Sequence, residues 1–597
     1  MNNRIARRDF LKSVSAVTLA GASASLAGAA ASTSPQPLEE FDYGDVRLTG
    51  GPLKRQYDRI HAAYLALDND RLLRVYRLRA GLPAPGAEMG GWYGAGGFIP
   101  GHSLGQYISG LARFGSATGD PDCKAKAAAL VGGFAATLGP GSRIYAGPNA
   151  EKIWPCYVLD KHLAGLIDAH RLAEVTQARE LLCRVFRGAL PYIPEQGRDR
   201  AGKKDPPYDE TYVLPENLFS AFEITGERAM FRRAQAYLLD REFFDPLARG
   251  EDVLPGRHAY SHVIALGSAA KARLVLGDEK YLRVMQTAWN LLTTTQQYAT
   301  GGWGPNETFI TPCKGELYAS LHTTEDHFET PCGSYAAIKL ARYLLCATAD
   351  GRYGDGLERV VYNAILAVKQ PDSDGDYPYY STYSDDARKT YYAKKWPCCS
   401  GTLVQGVADY VKNIYFKAPD GIAVNLYAPS EGYWIRNGTP LKLIQTTDYP
   451  LDDAITLRID CAVPVDFTLR LRIPAWLRGP ALIKVNGKPA APDINRGFAK
   501  LRRTWRKGDT VTLTLEQTFR TEAIDDLHPD TVAVLRGPLV YVELNPPSGS
   551  SHLAPLARMR PLAGADGAFS VSGAERERVL VPIYLVRDET YTTYFTG

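Results

Sequence analysis

The chain has 597 residues, more than one hydrophobic core usually organises, so two to four domains are expected. Hydrophobic residues make up 45% and charged residues 22%, which excludes bulk disorder. Residues 1–31 carry +3 of the formal +4, and the remaining +1 shows no long basic run, so nothing electrostatic supports a nucleic-acid or acidic-membrane partner.

In chain order, Arg7-Arg8-Asp9-Phe10-Leu11-Lys12 is a twin-arginine pattern, followed by an Ala/Gly/Ser-rich run to Ala31. Small residues at Ala29 to Ala31 suit a signal-peptidase cut. The run is too poor in Leu, Ile and Phe to be a stable membrane anchor. Residues 1–31 are therefore expected to be a twin-arginine export signal, making the protein periplasmic or secreted. Nine cysteines are an odd and sparse count for a disulfide framework. The twin-arginine route carries folded proteins, so thiolates would receive a metal before meeting an oxidising compartment.

Residues 32–52 read as a Pro/Ser linker and a short strand at Asp45-Val46-Arg47-Leu48. From 53 to 415 the texture is helical, with apolar residues spaced at three and four in segments such as 55–66, 103–118, 157–176, 261–277 and 334–349. Helix pairs without a fixed repeat predict a toroid, an (α/α)6-type barrel. Near 416 the period changes to two. Ile455, Leu457, Ile459 and Cys461 alternate with polar partners, as do Phe467, Leu469, Leu471 and Ile473, and Val511, Leu513 and Leu515. Asn486-Gly487 and Lys507-Gly508-Asp509 supply turns. The run 532–543 reads as one strand, with Arg536-Gly537-Pro538 at an edge or bulge. The fold class is thus multidomain α + β: a barrel catalytic domain (53–415), an antiparallel β-sandwich (416–525), and a second sandwich or completion of the first (526–597).

The most specific chemistry lies in the cysteines. Glu329-Thr330-Pro331-Cys332 precedes a helical stretch, and Pro397-Cys398-Cys399-Ser400-Gly401 lies 66 residues further on. One carboxylate and three thiols make a tetrahedral donor set for zinc. The plainer alternative makes Cys332 a small apolar filler and Cys398–Cys399 a vicinal disulfide.

With Gly101-His102-Ser103-Leu104-Gly105, Thr300-Gly301-Gly302-Trp303-Gly304, Arg536-Gly537-Pro538-Leu539-Val540-Tyr541 and Val581-Pro582-Ile583-Tyr584, this set resembles glycoside hydrolase family 127, the β-L-arabinofuranosidases. The similarity runs in order through nearly the whole chain after the signal. That family has a Glu-Thr-Cys element and a later Cys-Cys pair that hold zinc; this chain has one residue more between Glu329 and Cys332. The resemblance implies Zn²⁺ held by Glu329, Cys332, Cys398 and Cys399, with Cys398 the nucleophile. It also implies a glutamate acid/base, either Glu307 in Glu307-Thr308-Phe309 or Glu316 in Lys314-Gly315-Glu316. Sugar contacts are expected from His262, His102, His162, Tyr380 and Trp303, with Trp92 a further stacking candidate; Glu325 and Asp326 are expected at the surface or behind the residues that touch the sugar.

The implied activity is a retaining exo-hydrolysis releasing terminal β-L-arabinofuranose, or a similar sugar, from plant-type oligosaccharides or glycosides. The same fold with another sugar specificity, or a zinc-stabilised carbohydrate-binding protein without turnover, are the alternatives. A polysaccharide lyase is disfavoured because no basic cluster is evident.

Overall fold

A computed structural model describes residues 36–200, 209–547, 552–572 and 577–597; the expected export signal lies outside the described residues. Six helices form a closed ring: Leu104–Thr118, Pro155–Arg171, Pro215–Thr225, Ala259–Leu276, Thr330–Thr348 and Cys398–Ala408, each packed on the next and the last on the first. Six more pack one by one outside them: Gly51–Ala66, Pro121–Ala136, Gln177–Ala189, Arg228–Ala236, Lys280–Leu291 and Gly351–Val360. The expected (α/α)6 barrel is this double layer.

The two layers follow from composition. Every residue of Cys398–Ala408 is buried, which suits its run of Leu, Val, Gly and Thr. The outer helix Gln177–Ala189 instead buries Ala178, Leu181, Leu182, Val185 and Phe186, a single stripe at helical spacing. Left-handed glycines end several helices, among them Gly119, Gly226 and Gly277. Neighbouring inner helices touch through Gly105 and Gly165: a Cβ on Gly105 would lie 1.8 Å from the Lys161 carbonyl oxygen. The Gly-His-Ser-Leu-Gly motif is therefore partly a packing motif.

Two sheets follow the ring. One runs Glu39–Glu40, Tyr415–Ala418, Gly421–Val424, Val465–Arg472, Phe498–Trp505, Asp493–Asn495; the other runs Lys488–Ala490, Leu482–Val485, Thr510–Thr514, Ala454–Cys461, Thr439–Thr447, Ser430–Arg436, Val46–Leu48. They face each other as a sandwich, with Trp434 of the second sheet edge-on to Phe467 of the first at 5.5 Å. Both receive an edge strand from the N-terminal segment, so residues 39–48 tie the start of the barrel to the sandwich. Asn486-Gly487 forms the expected two-residue hairpin, both residues at positive φ.

The strand Phe519–Ala523 pairs with Thr531–Arg536 and so belongs to a third sheet, not to the sandwich that the period of two extended to 525. The run 532–543 is not one strand. Arg536 pairs with Leu539 across a tight turn at Gly537-Pro538, where Gly537 has φ +54° and proline offers no N–H. The third sheet docks on the barrel through Asn363, whose amide donates to the Pro538 carbonyl at 2.8 Å and whose Oδ1 accepts from Val540 N at 2.8 Å. Among the described residues, no helix is long and apolar enough to cross a membrane.

Candidate active site

One end of the ring opens into a cavity of about 460 Å³ lined by aromatic rings (Trp92, Trp154, Tyr157, Tyr260, Tyr379, Tyr392) and by Glu210, His258, Glu307, Glu329 and Cys398. Trp92 is placed there by the Gly90-Gly91 turn. Gly91, at φ +55°, lies so close to the Lys395 carbonyl that a Cβ would sit 1.9 Å from its oxygen, and Trp92 N donates to the same oxygen at 2.9 Å.

Two helix starts meet on the cavity floor. Glu329 ends the short strand Phe328–Glu329, which pairs with Tyr380–Ser381, and Cys332 lies in the first turn of Thr330–Thr348. Cys398 and Cys399 open the helix Cys398–Ala408. Helix N-termini favour thiolates, since unpaired N–H groups point towards them. The four donor atoms all lie within 4.8 Å of one another. Cys332 Sγ is 3.6 Å from Cys398 Sγ and 3.3 Å from Cys399 Sγ. Glu329 Oε1 is 3.3 Å from Cys398 Sγ and 3.7 Å from Cys399 Sγ. All nine cysteines are free, so the vicinal pair is not a disulfide. The extra Pro331 is absorbed where the strand turns into the helix, and Glu329 still reaches the thiols.

The thiols are not equivalent. Cys332 and Cys399 are fully buried, and burial pushes both well above the usual thiol range, helped at Cys332 by both neighbouring sulfurs and at Cys399 by Cys398 against the opposing Cys332 hydrogen bond. Cys398 is 7% exposed and alone of the three lines the cavity. Burial would raise it too, but hydrogen bonds from Cys332, Cys399 and the Tyr379 hydroxyl outweigh that and hold it well below the usual range. Burial, the Cys398 charge and Glu307 push Glu329 up, and its Oε2 is buried without a hydrogen-bond partner among the described residues. Four buried acidic groups around one point, one oxygen left without a donor, form a group suited to a metal ion.

Glu307 stands beside this cluster, with His258, Glu307 and Glu329 again within 4.8 Å of one another. Its Oε2 is 3.2 Å from His258 Nε2, and its Oε1 accepts from Tyr380 OH at 2.6 Å. Burial works to raise its carboxyl, but His258 and the tyrosine hydroxyls outweigh that and bring it to about 2. Asn306 and Glu307 both have positive φ, 52° and 59°, a strained pair held at the cavity rim.

A model of the β-L-arabinofuranosidase GH127 catalytic domain matches residues 45–412 of this chain. The chain belongs to glycoside hydrolase family 127. The model of the family's middle domain matches residues 421–517, which hold most strands of the sandwich. A non-reducing end β-L-arabinofuranosidase of Bifidobacterium longum subsp. longum is 24% identical over 437 residues, 64% of each chain, so the match spans just under two thirds of that relative's length. Two solved structures share the fold. A GH127 β-arabinofuranosidase has a TM-score of 0.73 at 19% identity, covering 94% of this chain and 98% of its own. A GH127 β-L-arabinofuranosidase from Geobacillus stearothermophilus T6 has a TM-score of 0.68 at 19% identity, covering 92% and 99%.

Within this family 127 chain, the residues singled out from sequence divide sharply. Glu329, Cys332, Cys398, Cys399, Glu307 and Tyr380 come together. Glu316 does not line the cavity; it heads the helix Glu316–Thr323 and accepts from Thr311 N at 3.3 Å. His262 is fully buried off the cavity, its Nε2 2.9 Å from Asp199 and its Nδ1 2.8 Å from the His258 carbonyl. His162 lies between ring layers against Phe134 and Tyr76, and burial pulls it down to about 3. Trp303 packs on Phe328 and is core, whereas Trp92 faces the cavity. His102 is buried just behind the cavity wall, brought down by burial to about 4, with Nδ1 3.0 Å from the Ile99 carbonyl and no partner for Nε2 among the described residues. Of the two residues expected at the surface or behind the contacts, Glu325 accepts a short hydrogen bond from Thr382, and Asp326 offers its carbonyl to Asn306 N at 2.7 Å.

His258, Tyr379 and Glu210 were not singled out. His258 is the N-cap of Ala259–Leu276 and looks out of the ring end, while His262, one turn along the same helix, looks into the wall. The cap position was the available signal, because a residue before the first turn sits at the barrel mouth. Tyr379 is adjacent to Tyr380, and the two-residue strand gives no periodicity to tell which of them faces the thiols.

Proposed function

We propose that the chain is a retaining exo-glycoside hydrolase that releases terminal β-L-arabinofuranose from plant-type glycans, using Cys398 as nucleophile and Glu307 as acid/base. The observation that carries this reading is that Cys398 alone of the clustered thiols faces the cavity, with Glu307 beside the same cluster.

The donor set suits Zn²⁺. Tetrahedral zinc–thiolate geometry implies S···S separations of roughly 3.8 Å, and 3.3 and 3.6 Å are found for the two pairs on Cys332. Glu329, Cys332, Cys398 and Cys399 would hold the ion, whose charge would keep the sulfurs deprotonated and offset four buried acids.

The chain's own groups then divide the work. The Cys398 sulfur forms a bond to the anomeric carbon as the glycosidic C–O bond breaks, and Glu307 gives its proton to the departing oxygen. In the second half, the Glu307 carboxylate takes a proton from water, whose oxygen attacks the same carbon. The C–S bond breaks and the thiolate returns. Two inversions retain the configuration. In the free site the surroundings of Glu307 favour the carboxylate, the form that the second half needs, and His258 Nε2 lies 3.2 Å from its Oε2. Tyr380 fixes the carboxyl, and Trp92 and Tyr392 offer flat faces to the sugar or to the group leaving with it.

A panel of nitrophenyl furanosides and pyranosides tests the reading. Hydrolysis confined to, or strongest on, the β-L-arabinofuranoside supports it; a stronger response from another sugar replaces the sugar but keeps the chemistry. Binding without product release on any of them favours the non-catalytic alternative. Export to the periplasm or medium by the twin-arginine route completes the proposal. It is tested by locating the full chain and its Arg7→Lys/Arg8→Lys variant in cell fractions.

A further inference from the structure

The outer layer of the ring holds a second convergence of metal-type donors. His61 lies in the helix Gly51–Ala66, Asp120 caps the neighbouring helix Pro121–Ala136, and Cys123 is in that helix's first turn. His61 Nε2 is 3.0 Å from Cys123 Sγ and 3.1 Å from Asp120 Oδ2, and the three donor atoms lie within 4.8 Å of one another. None of these residues lines the active-site cavity.

Chemistry, anchoring and access all favour a ligand here. A single imidazole nitrogen offers one proton or one lone pair, so it serves the thiol or the carboxylate, which otherwise rely on the Cys123–Asp120 hydrogen bond that an ion would replace. Each donor is held by rigid structure. Asp120 Oδ1 accepts from Asp122 N at 2.9 Å, which orients Oδ2 towards His61, and the His61 ring stacks on Phe114 at 4.9 Å and 11°. Cys123 is fully buried, while the side chains of His61 and Asp120 are 17% and 22% exposed, so the group has a closed inner end and a solvent-facing edge. Sulfur, imidazole nitrogen and carboxylate oxygen are the three donor types that zinc takes.

We propose that His61 Nε2, Asp120 Oδ2 and Cys123 Sγ form a second metal site, taking one zinc-class divalent ion with water as the fourth ligand. Tetrahedral bonds of about 2.0–2.3 Å set such donors roughly 3.3–3.6 Å apart, so the 3.0 and 3.1 Å separations at His61 Nε2 need to open by only a few tenths of an ångström. The Cys123 thiol proton leaves to solvent as the sulfur binds. The ion staples two outer helices that touch only lightly, which makes it structural rather than catalytic.

Metal content of the purified full chain, saturated with zinc and desalted, tests this against His61→Gln, Cys123→Ser and Asp120→Asn. Asparagine keeps an N-cap acceptor, so Asp120→Asn stays informative where the buried Cys123→Ser fails to fold. Each folded variant is expected to hold one zinc fewer than wild type, to keep activity within about twofold, and to lose the part of the zinc-dependent rise in Tm that wild type shows. The comparison is a difference, so it does not depend on whether the Cys398 cluster also binds zinc. Equal zinc content in wild type and Asp120→Asn would overturn the site, as would a variant whose metal and activity disappear together.

Discussion

Tyr380 OH donates to Glu307 Oε1 across 2.6 Å, from a strand 73 residues downstream. The bond stabilises the carboxylate, so removing it raises the carboxyl from about 2 towards the usual value near ~4.3. Because the second half-reaction needs the carboxylate, the acidic limb of the pH–rate profile of Tyr380→Phe should move to higher pH. A hydrogen bond to a charged group contributes about 1.5–3 kcal/mol, so kcat should also fall roughly tenfold or more. An unshifted acidic limb would detach Tyr380 from the acid/base.

Replacing Glu307, the proposed acid/base, should discriminate by leaving group. Glu307→Gln is expected to lose roughly 10²–10⁴-fold on an alkyl glycoside, whose oxygen needs a proton to depart, and clearly less on a nitrophenyl glycoside in the first turnover. Pre-steady-state and steady-state rates on the two substrates check this. Equal losses on both would place Glu307 outside proton transfer.

Chelation should act on stability and activity together. With the ion removed, Glu329, Cys332 and Cys399 take up protons in a buried cluster whose only cavity-facing sulfur is Cys398. A strong chelator is expected to abolish turnover and lower Tm, with both restored by zinc. Full activity in a sample shown by elemental analysis to hold no metal would remove zinc from the account.

Gly105→Ala tests the barrel wall. The added methyl would meet the Lys161 carbonyl at 1.8 Å, backbone that cannot rotate away. Overpacking of this kind costs about 1–3 kcal/mol or more, so the denaturation midpoint should fall without loss of bound metal. An unchanged midpoint would mean that the two helices part easily.

The barrel and the sandwich were legible because both rest on periodicity: one apolar stripe on helices such as Gln177–Ala189, strict alternation on strands such as Ala454–Cys461. What local periodicity could not show was pairing. The Gly537-Pro538 turn hides inside an apolar run, and Phe519–Ala523 looks the same whichever sheet it joins. The thiols and Glu329 stood out as a donor set by residue type, but only the family resemblance chose a metal cluster over an apolar filler and a vicinal disulfide. The cavity-facing histidine did not stand out. His258 and His262 differ by one helical turn, and only the ring's orientation decides which faces the cavity and which pairs with Asp199. Glu307 and Glu316 likewise sit in one loop-rich segment, separated only by the left-handed backbone at Asn306 and Glu307 that turns one carboxylate inward.

The account stands or falls on the sulfur that faces the cavity. Peptide mass spectrometry after incubation with a mechanism-based β-L-arabinofuranosyl inhibitor should find one glycosyl adduct per chain, on Cys398, and none in Cys398→Ser. An adduct on Glu307 or Glu329 instead, with Cys398 unmodified, would contradict it.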